Sequence, residues 1–141
     1  PGEAVALNAG YLVTTVLDKV ENGITTLILD ASAACHMPDV LEMPYTPPLR
    51  DGLKISDIDS GEFRYRLSSY TCLAGDIIGD YQFSREINVG DRLVFEDMAI
   101  YSMVKNNTFN GIPLPDIVIM DSDGECKVWK HFGYEDFKGR L

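Results

Sequence analysis

Asn22-Gly23-Ile24-Thr25-Thr26-Leu27-Ile28-Leu29 is the stretch on which the fold turns. Asn-Gly is a tight-turn dipeptide, because both residues tolerate positive φ. The six residues after it are β-branched or leucine and read as a returning strand. Upstream, Ala4 to Val16 is rich in Ala, Val, Leu, Tyr and Thr, contains no proline, and reads as a long first strand. Downstream, Glu62 to Leu67 alternates strictly, with Phe63, Tyr65 and Leu67 on one side and Glu62, Arg64 and Arg66 on the other. That is the period of a half-buried strand. Tyr70 to Ile78 is a further apolar stretch broken by Gly75-Asp76. Arg92 to Phe95, Ile117 to Met120 (of buried type) and Cys126 to His131 follow as strands, with turns at Val89-Gly90-Asp91 and Asp121 to Gly124. Glu135 to Leu141 reads as a weak terminal helix or tail. Ala31 to Tyr45 differs: its small residues and Pro38 and Pro44 predict an irregular insertion, near residues 31–60, with a short helical turn. Short strands separated by turns predict a mainly β chain, an antiparallel barrel or sandwich.

The chain has 141 residues, enough for one domain with a sizeable core. Twelve Lys and Arg against 22 Asp and Glu give a formal net charge of -10. A polyanion is repelled by such a surface, so nucleic acid and anionic lipid are excluded as partners, while a cationic small molecule is attracted. No apolar run approaches the ~18 residues of a membrane-spanning helix. Cys35, Cys72 and Cys126 are odd in number and too far apart in sequence for a metal clip. This argues against a disulfide scaffold and a structural metal, and points to a reducing cytoplasm.

Phosphate-binding glycine loops and zinc-protease or serine-hydrolase motifs are absent. His131, at a strand end, reads as structural. In Tyr70 to Asp76 a thiol and a carboxylate flank Gly75. Cys72 is either a packed thiol or a reactive one, and Asp76 either a turn residue or a site residue. Tyr101 to Gly111, polar at Lys105-Asn106-Asn107-Thr108, is a surface loop or a loop that binds an anion or substrate.

These segments together resemble a known family. Pro1 to Gly10 is similar to the Glu-Pro-Gly segment of the fold-type III, pyridoxal-phosphate-dependent decarboxylases, the alanine-racemase-like group that holds ornithine and diaminopimelate decarboxylases. Thr71-Cys72-Leu73-Ala74-Gly75-Asp76 resembles their Cys-x-x-Gly-Asp segment. Ala99-Ile100-Tyr101 and Thr108-Phe109-Asn110-Gly111 resemble their Gly-Ala-Tyr and Phe-Asn-Gly segments. With His36 to Tyr45, the set looks most like the carboxynorspermidine (carboxyspermidine) decarboxylases. The matches run in order from Pro1 to about Met120.

The resemblance implies that residues 1–141 form the C-terminal β-barrel domain of a two-domain, homodimeric enzyme. The family's N-terminal TIM-like barrel, with the lysine that holds pyridoxal 5'-phosphate, has no counterpart here, so the domain by itself is expected to be inactive. The implied activity is removal of the α-carboxylate of a carboxylated triamine to give norspermidine or spermidine. Cys72 corresponds to the cysteine that a partner subunit supplies for protonation, and Tyr101 to the tyrosine beside the cofactor phosphate. Glu3 stands where relatives often carry Arg, and Leu73 where many carry an acidic residue. Glu3, Asp76, Asp39 and Glu42 therefore suit pairing with substrate amines, unless Glu3 is an exposed strand-start carboxylate. His36 either lines the site or orients its loop. The alternatives are a diaminopimelate decarboxylase-like domain and a non-catalytic β-barrel that binds a polyamine or a protein.

Overall fold

The Asn22-Gly23 turn forms as its residues dictate. Gly23 takes a φ of 76°, a region glycine enters without steric cost. Strand β1 (Leu12–Asn22) then runs antiparallel to β2 (Ile24–Leu29), from Asn22 opposite Ile24 to Val16 opposite Leu29. The computed structural model describes residues 2–55 and 63–141; Glu62, expected to open the alternating strand, lies outside them.

The first strand is shorter than its composition suggests. A single helical turn, α1 (Glu3–Ala6), occupies the start of the expected strand, and β1 begins only at Leu12. Alanine favours helix over strand. The next residues then bend the chain away from extension. Asn8 adopts a φ of 57° and gives its N–H to Asp97 Oδ1 at 2.6 Å. A Cβ on Gly10 would lie 2.8 Å from that of Ala99, so only glycine permits this approach.

Strands β3 (Gly52–Lys54), β4 (Phe63–Ser69), β5 (Ile77–Phe83) and β6 (Arg92–Phe95) complete a six-stranded sheet in the order β3-β5-β4-β2-β1-β6. Its two edges meet through Leu49, which bridges both Gly52 and Phe95. Arg50 N–H donates to Val94 O and Glu96 N–H to Pro48 O, each at 2.9 Å. The sheet thus curls closed. It is antiparallel as expected except between β2 and β4, which run parallel. A parallel pair needs a long crossover. Here the crossover contains the irregular insertion with its two single-turn helices, α2 (Ala33–His36) and α3 (Asp39–Glu42).

The alternation in β4 is realised: Tyr65, Leu67 and Ser69 face inward and are buried. Tyr65 and Leu67 meet Val16, Leu29, Tyr81 and Phe95 in one core. In β5 the alternation slips. Leu67 faces Gly79 but Ser68 faces Ile77, leaving Ile78 as an extra residue. This bulge turns both Ile78 and Tyr81 inward. The buried phenol of Tyr81 donates to Pro47 O at 2.8 Å, and burial pushes its pKa well above the usual value. The bulge lies at the end of β5 that adjoins the 70–76 loop, a common place for such a device.

The last strands depart from expectation. Among the described residues, β7 (Ile117–Met120) and β8 (Cys126–Lys130) pair only with each other. Met120 is 61% and Trp129 68% exposed, so Ile117 to Met120 is not a buried-type strand. It has strand composition, but none of the described residues forms a second layer that buries it. A short helix, α4 (Tyr101–Val104), precedes the hairpin, and α5 (Tyr134–Lys138) closes the described chain. Asp136 caps α5 by accepting from Gly133 N–H at 2.8 Å.

Candidate active-site loops

Three loops gather at one end of the curled sheet: 32–36, 70–76 and 107–113. Asp76 ties the first two. It is 1% exposed, and its carboxylate accepts from Ser32 Oγ at 2.7 Å, Thr71 Oγ1 at 2.5 Å and Ala34 N–H at 3.1 Å. A buried carboxylate must be satisfied in this way. Its backbone carbonyl accepts from Ser68 Oγ at 2.8 Å, anchoring the arrangement to β4. Ser32 also caps α2, its Oγ accepting from Cys35 N–H at 3.1 Å.

His36 ties the first loop to the third. Its Nδ1 accepts from Ser32 N–H at 3.2 Å. The other ring nitrogen must then carry the proton, and Nε2 donates to Pro113 O at 3.0 Å. The side chain is buried, and desolvation lowers its pKa below the ordinary histidine value. Both nitrogens are engaged by backbone, so the ring acts as a strut that orients its loop. Asn107 adds a second tie: its Nδ2 donates to Ala34 O at 2.7 Å, its N–H to Cys35 O at 3.0 Å, and its Oδ1 accepts from Phe109 N–H at 3.0 Å. The Cys35 thiol points at Phe109 O at 3.5 Å, and burial raises its pKa, making it a packed, inert thiol.

The clasp presents Cys72. Its residue is exposed and its thiol free. Its N–H donates to Asn110 Oδ1 at 3.0 Å. Around it Tyr70, Leu73 and Phe109 are 50%, 42% and 45% exposed, an apolar surround for a single thiol. Leu73 leaves the position after Cys72 uncharged.

Tyr101 opens α4 and is 57% exposed. Lys105 Nζ lies 5.4 Å above its ring. The same ammonium is 2.6 Å from Asp39 and also pairs with Glu42. Its hydrogen bond to Asp39, then that to Glu42, pushes its pKa up to about 12. Asp39 and Glu42, two of the four carboxylates expected to meet substrate amines, are thus brought together, but around a lysine of the same chain, while Asp76 is buried and turned to the loops. Glu3 begins α1; its side chain lies outside the described residues. His131 pairs with Asp116 at 2.9 Å beside the exposed hairpin, away from the clasp. Among the described residues no group of three or more His, Cys, Asp or Glu is placed to hold a metal ion.

The sequence marks Cys72, Asp76 and His36 singly, but Asn107 and Asn110 only as parts of the polar 101–111 loop and its Phe-Asn-Gly segment; that they join the loops comes from the structure. The available signal was Asn110-Gly111, a dipeptide suited to left-handed backbone.

Residues 4–99 match the family model for the pyridoxal-dependent decarboxylase C-terminal sheet domain. The chain is 48% identical over its whole length to the carboxyaminopropylagmatine decarboxylase of Synechocystis sp., covering 36% of that protein. It is 43% identical over 99% of its length to the carboxynorspermidine/carboxyspermidine decarboxylase of Campylobacter jejuni, covering 39% of it. The crystal structure of carboxynorspermidine decarboxylase from Campylobacter jejuni, complexed with norspermidine, superposes on the entire chain with a TM-score of 0.93 at 42% identity, over 41% of that chain. The chain therefore spans well under half the length of the relatives it matches.

Proposed function

The chain belongs to the pyridoxal-dependent decarboxylases as their C-terminal sheet domain, and from that premise we propose that it completes the active site of an enzyme that decarboxylates carboxylated triamines. The observation that carries this reading is the similarity, over almost the whole chain, to enzymes named for such substrates. The proposal includes an N-terminal barrel in the same protein, which supplies the cofactor-bearing lysine, and a homodimer in which Cys72 reaches the partner's site. The exposed apolar residues around Cys72 support burial against such a partner.

The residues present fit pyridoxal phosphate as one wall of its site. Tyr101 offers an exposed phenol, which donates one hydrogen bond to a phosphate oxygen. Lys105 is committed to Asp39 and Glu42, so the phosphate's cationic partners come from outside the described residues. When bound, the cofactor supplies the electron sink for the pair released as the α-carboxylate leaves.

In this proposal Cys72 gives its thiol proton to the substrate carbon that has lost CO2, and the thiolate recovers a proton from solvent. Asp76 and His36 hold the loop that carries Cys72 and do not touch substrate. Asp39 and Glu42, with Lys105 as their counter-ion, carry an excess of negative charge that attracts a polycation, and Glu3 is assigned the same part from its place in the sequence. The free, exposed thiols of Cys72 and Cys126 suit a reducing cytoplasm, where we set the protein.

A second reading is favoured by the 48% identity to the Synechocystis sp. enzyme: the substrate's far end is then a guanidinium instead of an ammonium. Both readings share the reaction and the proton donor. The test is CO2 release by the native holoenzyme from carboxynorspermidine and from carboxyaminopropylagmatine. At least one is expected to be turned over, and Cys72→Ala is expected to lower kcat about 100-fold, within the range of positioned proton donors. Turnover of neither, or an unchanged kcat in Cys72→Ala, contradicts the proposal.

A further inference from the structure

Asn110 combines a strained backbone with a specific contact. Its φ of 57° and ψ of 16° are left-handed, and Gly111 follows at a φ of 76°. A non-glycine residue held there marks a place where the surroundings impose the conformation, and such places cluster at functional sites. In that conformation its Oδ1 lies 3.0 Å from the backbone nitrogen of Cys72. A backbone N–H only donates, so it is the amide oxygen that faces the loop. Thr71 and Asp76 fix the base of that loop, and Asn110 reaches its tip. The tip is otherwise exposed at Tyr70, Cys72 and Leu73.

We propose that Asn110 is a positioning residue for Cys72: its side-chain oxygen sets where the thiol projects, and thereby how well its proton is delivered. This rests on the reading of Cys72 given above. The Asn110 link also fixes the distance between the Cys72 loop and the segment that runs back to Tyr101. Proton transfer depends steeply on where the thiol sits relative to the reacting carbon, since a misplacement of about 1 Å costs on the order of 100-fold in rate. Asparagine suits the role because its side chain accepts a hydrogen bond and its backbone tolerates the left-handed region, a pairing that glycine lacks.

The test separates the side chain from the backbone. Asn110→Gly relieves the left-handed backbone but removes the acceptor. Asn110→Asp keeps an acceptor and tolerates the same backbone. In the native holoenzyme, Asn110→Gly is expected to lower kcat about 10- to 100-fold with KM within about twofold, while Asn110→Asp recovers most of the loss. Adding Asn110→Gly to Cys72→Ala is expected to lower kcat no further, because the positioned group is already gone. In the cofactor-free native protein, iodoacetamide is expected to label Cys72 of Asn110→Gly at a rate differing at least threefold from the unmodified protein. Cys126, exposed and far from this loop in sequence, serves as the internal reference. Equal kcat and equal labelling in Asn110→Gly overturn the inference, as does a further kcat loss in the double variant. If Cys72→Ala itself leaves kcat unchanged, both this inference and the catalytic reading of Cys72 fall. If Cys72→Ala lowers kcat and Asn110→Gly does not, only the positioning role falls.

Discussion

Two strands of near-identical composition meet opposite fates. Ile24–Leu29 and Ile117–Met120 are both short runs of β-branched and long aliphatic residues. The first lies between β1 and β4, and its Leu27 and Leu29 are fully buried. The second pairs with β8 alone and leaves Val118, Ile119 and Met120 exposed. Strand composition fixes the backbone conformation; the neighbours decide which face is dry.

The contrast can be broken by mutation, and the largest effect belongs to the barrel. Leu67→Ala removes a fully buried side chain and is expected to cost about 2–5 kcal/mol in urea unfolding of the native protein. Next comes the clasp. Asp76→Ala leaves the donors on Ser32, Thr71 and Ala34 unsatisfied, each worth roughly 1–3 kcal/mol if it stays dry. A Tm drop of several degrees with slower proton delivery is the expected result; an unchanged Tm would mean that water replaces the carboxylate without loss.

A smaller effect concerns pH. Desolvation keeps the native pKa of His36 below 6.5, against the opposing pull of Asp30 and Asp76. The unfolded chain titrates this group near 6.5 and so takes up its proton first. The stability contributed by neutral His36 is therefore fully present above about 6.5 and lost as pH falls below it. His36→Gln is expected to flatten the loss of Tm between about pH 7.5 and 5.5. An identical slope in the variant would show that His36 is solvated in the native state. The smallest effect belongs to the hairpin: Trp129→Ala, at a 68% exposed position, is expected to change unfolding free energy by no more than about 0.5 kcal/mol. A larger loss would show that the hairpin is buried in the native assembly.

Much of the barrel was legible in the sequence. The Asn22-Gly23 turn, the β2 strand, the alternation at Phe63 to Leu67 and the β6 strand all carry local signals, and each forms where those signals place it. The parallel pairing of β2 with β4 was not legible, because it depends on where a long irregular crossover returns the chain. Nor was the helical turn at Glu3–Ala6, which competes with an apolar run that also suits a strand. In the site, Cys72 and Asp76 stood out by residue type and by resemblance. That Asp76 and His36 turn inward to hold loops together is a property of long-range contacts with Ser32 and Pro113. No spacing in the sequence encodes those contacts.

In the enzyme proposed above, the clasp presents Cys72 to a site where pyridoxal phosphate and a triamine meet. The native holoenzyme carries a built-in control, because Cys72 and Cys126 are both exposed in this chain while Cys35 is buried. Iodoacetamide labelling of the two exposed thiols, read by peptide mass, with and without norspermidine, tests the claim directly. Norspermidine is expected to slow labelling of Cys72 at least tenfold and to leave Cys126 unchanged. Equal labelling of Cys72 with and without the triamine would contradict it.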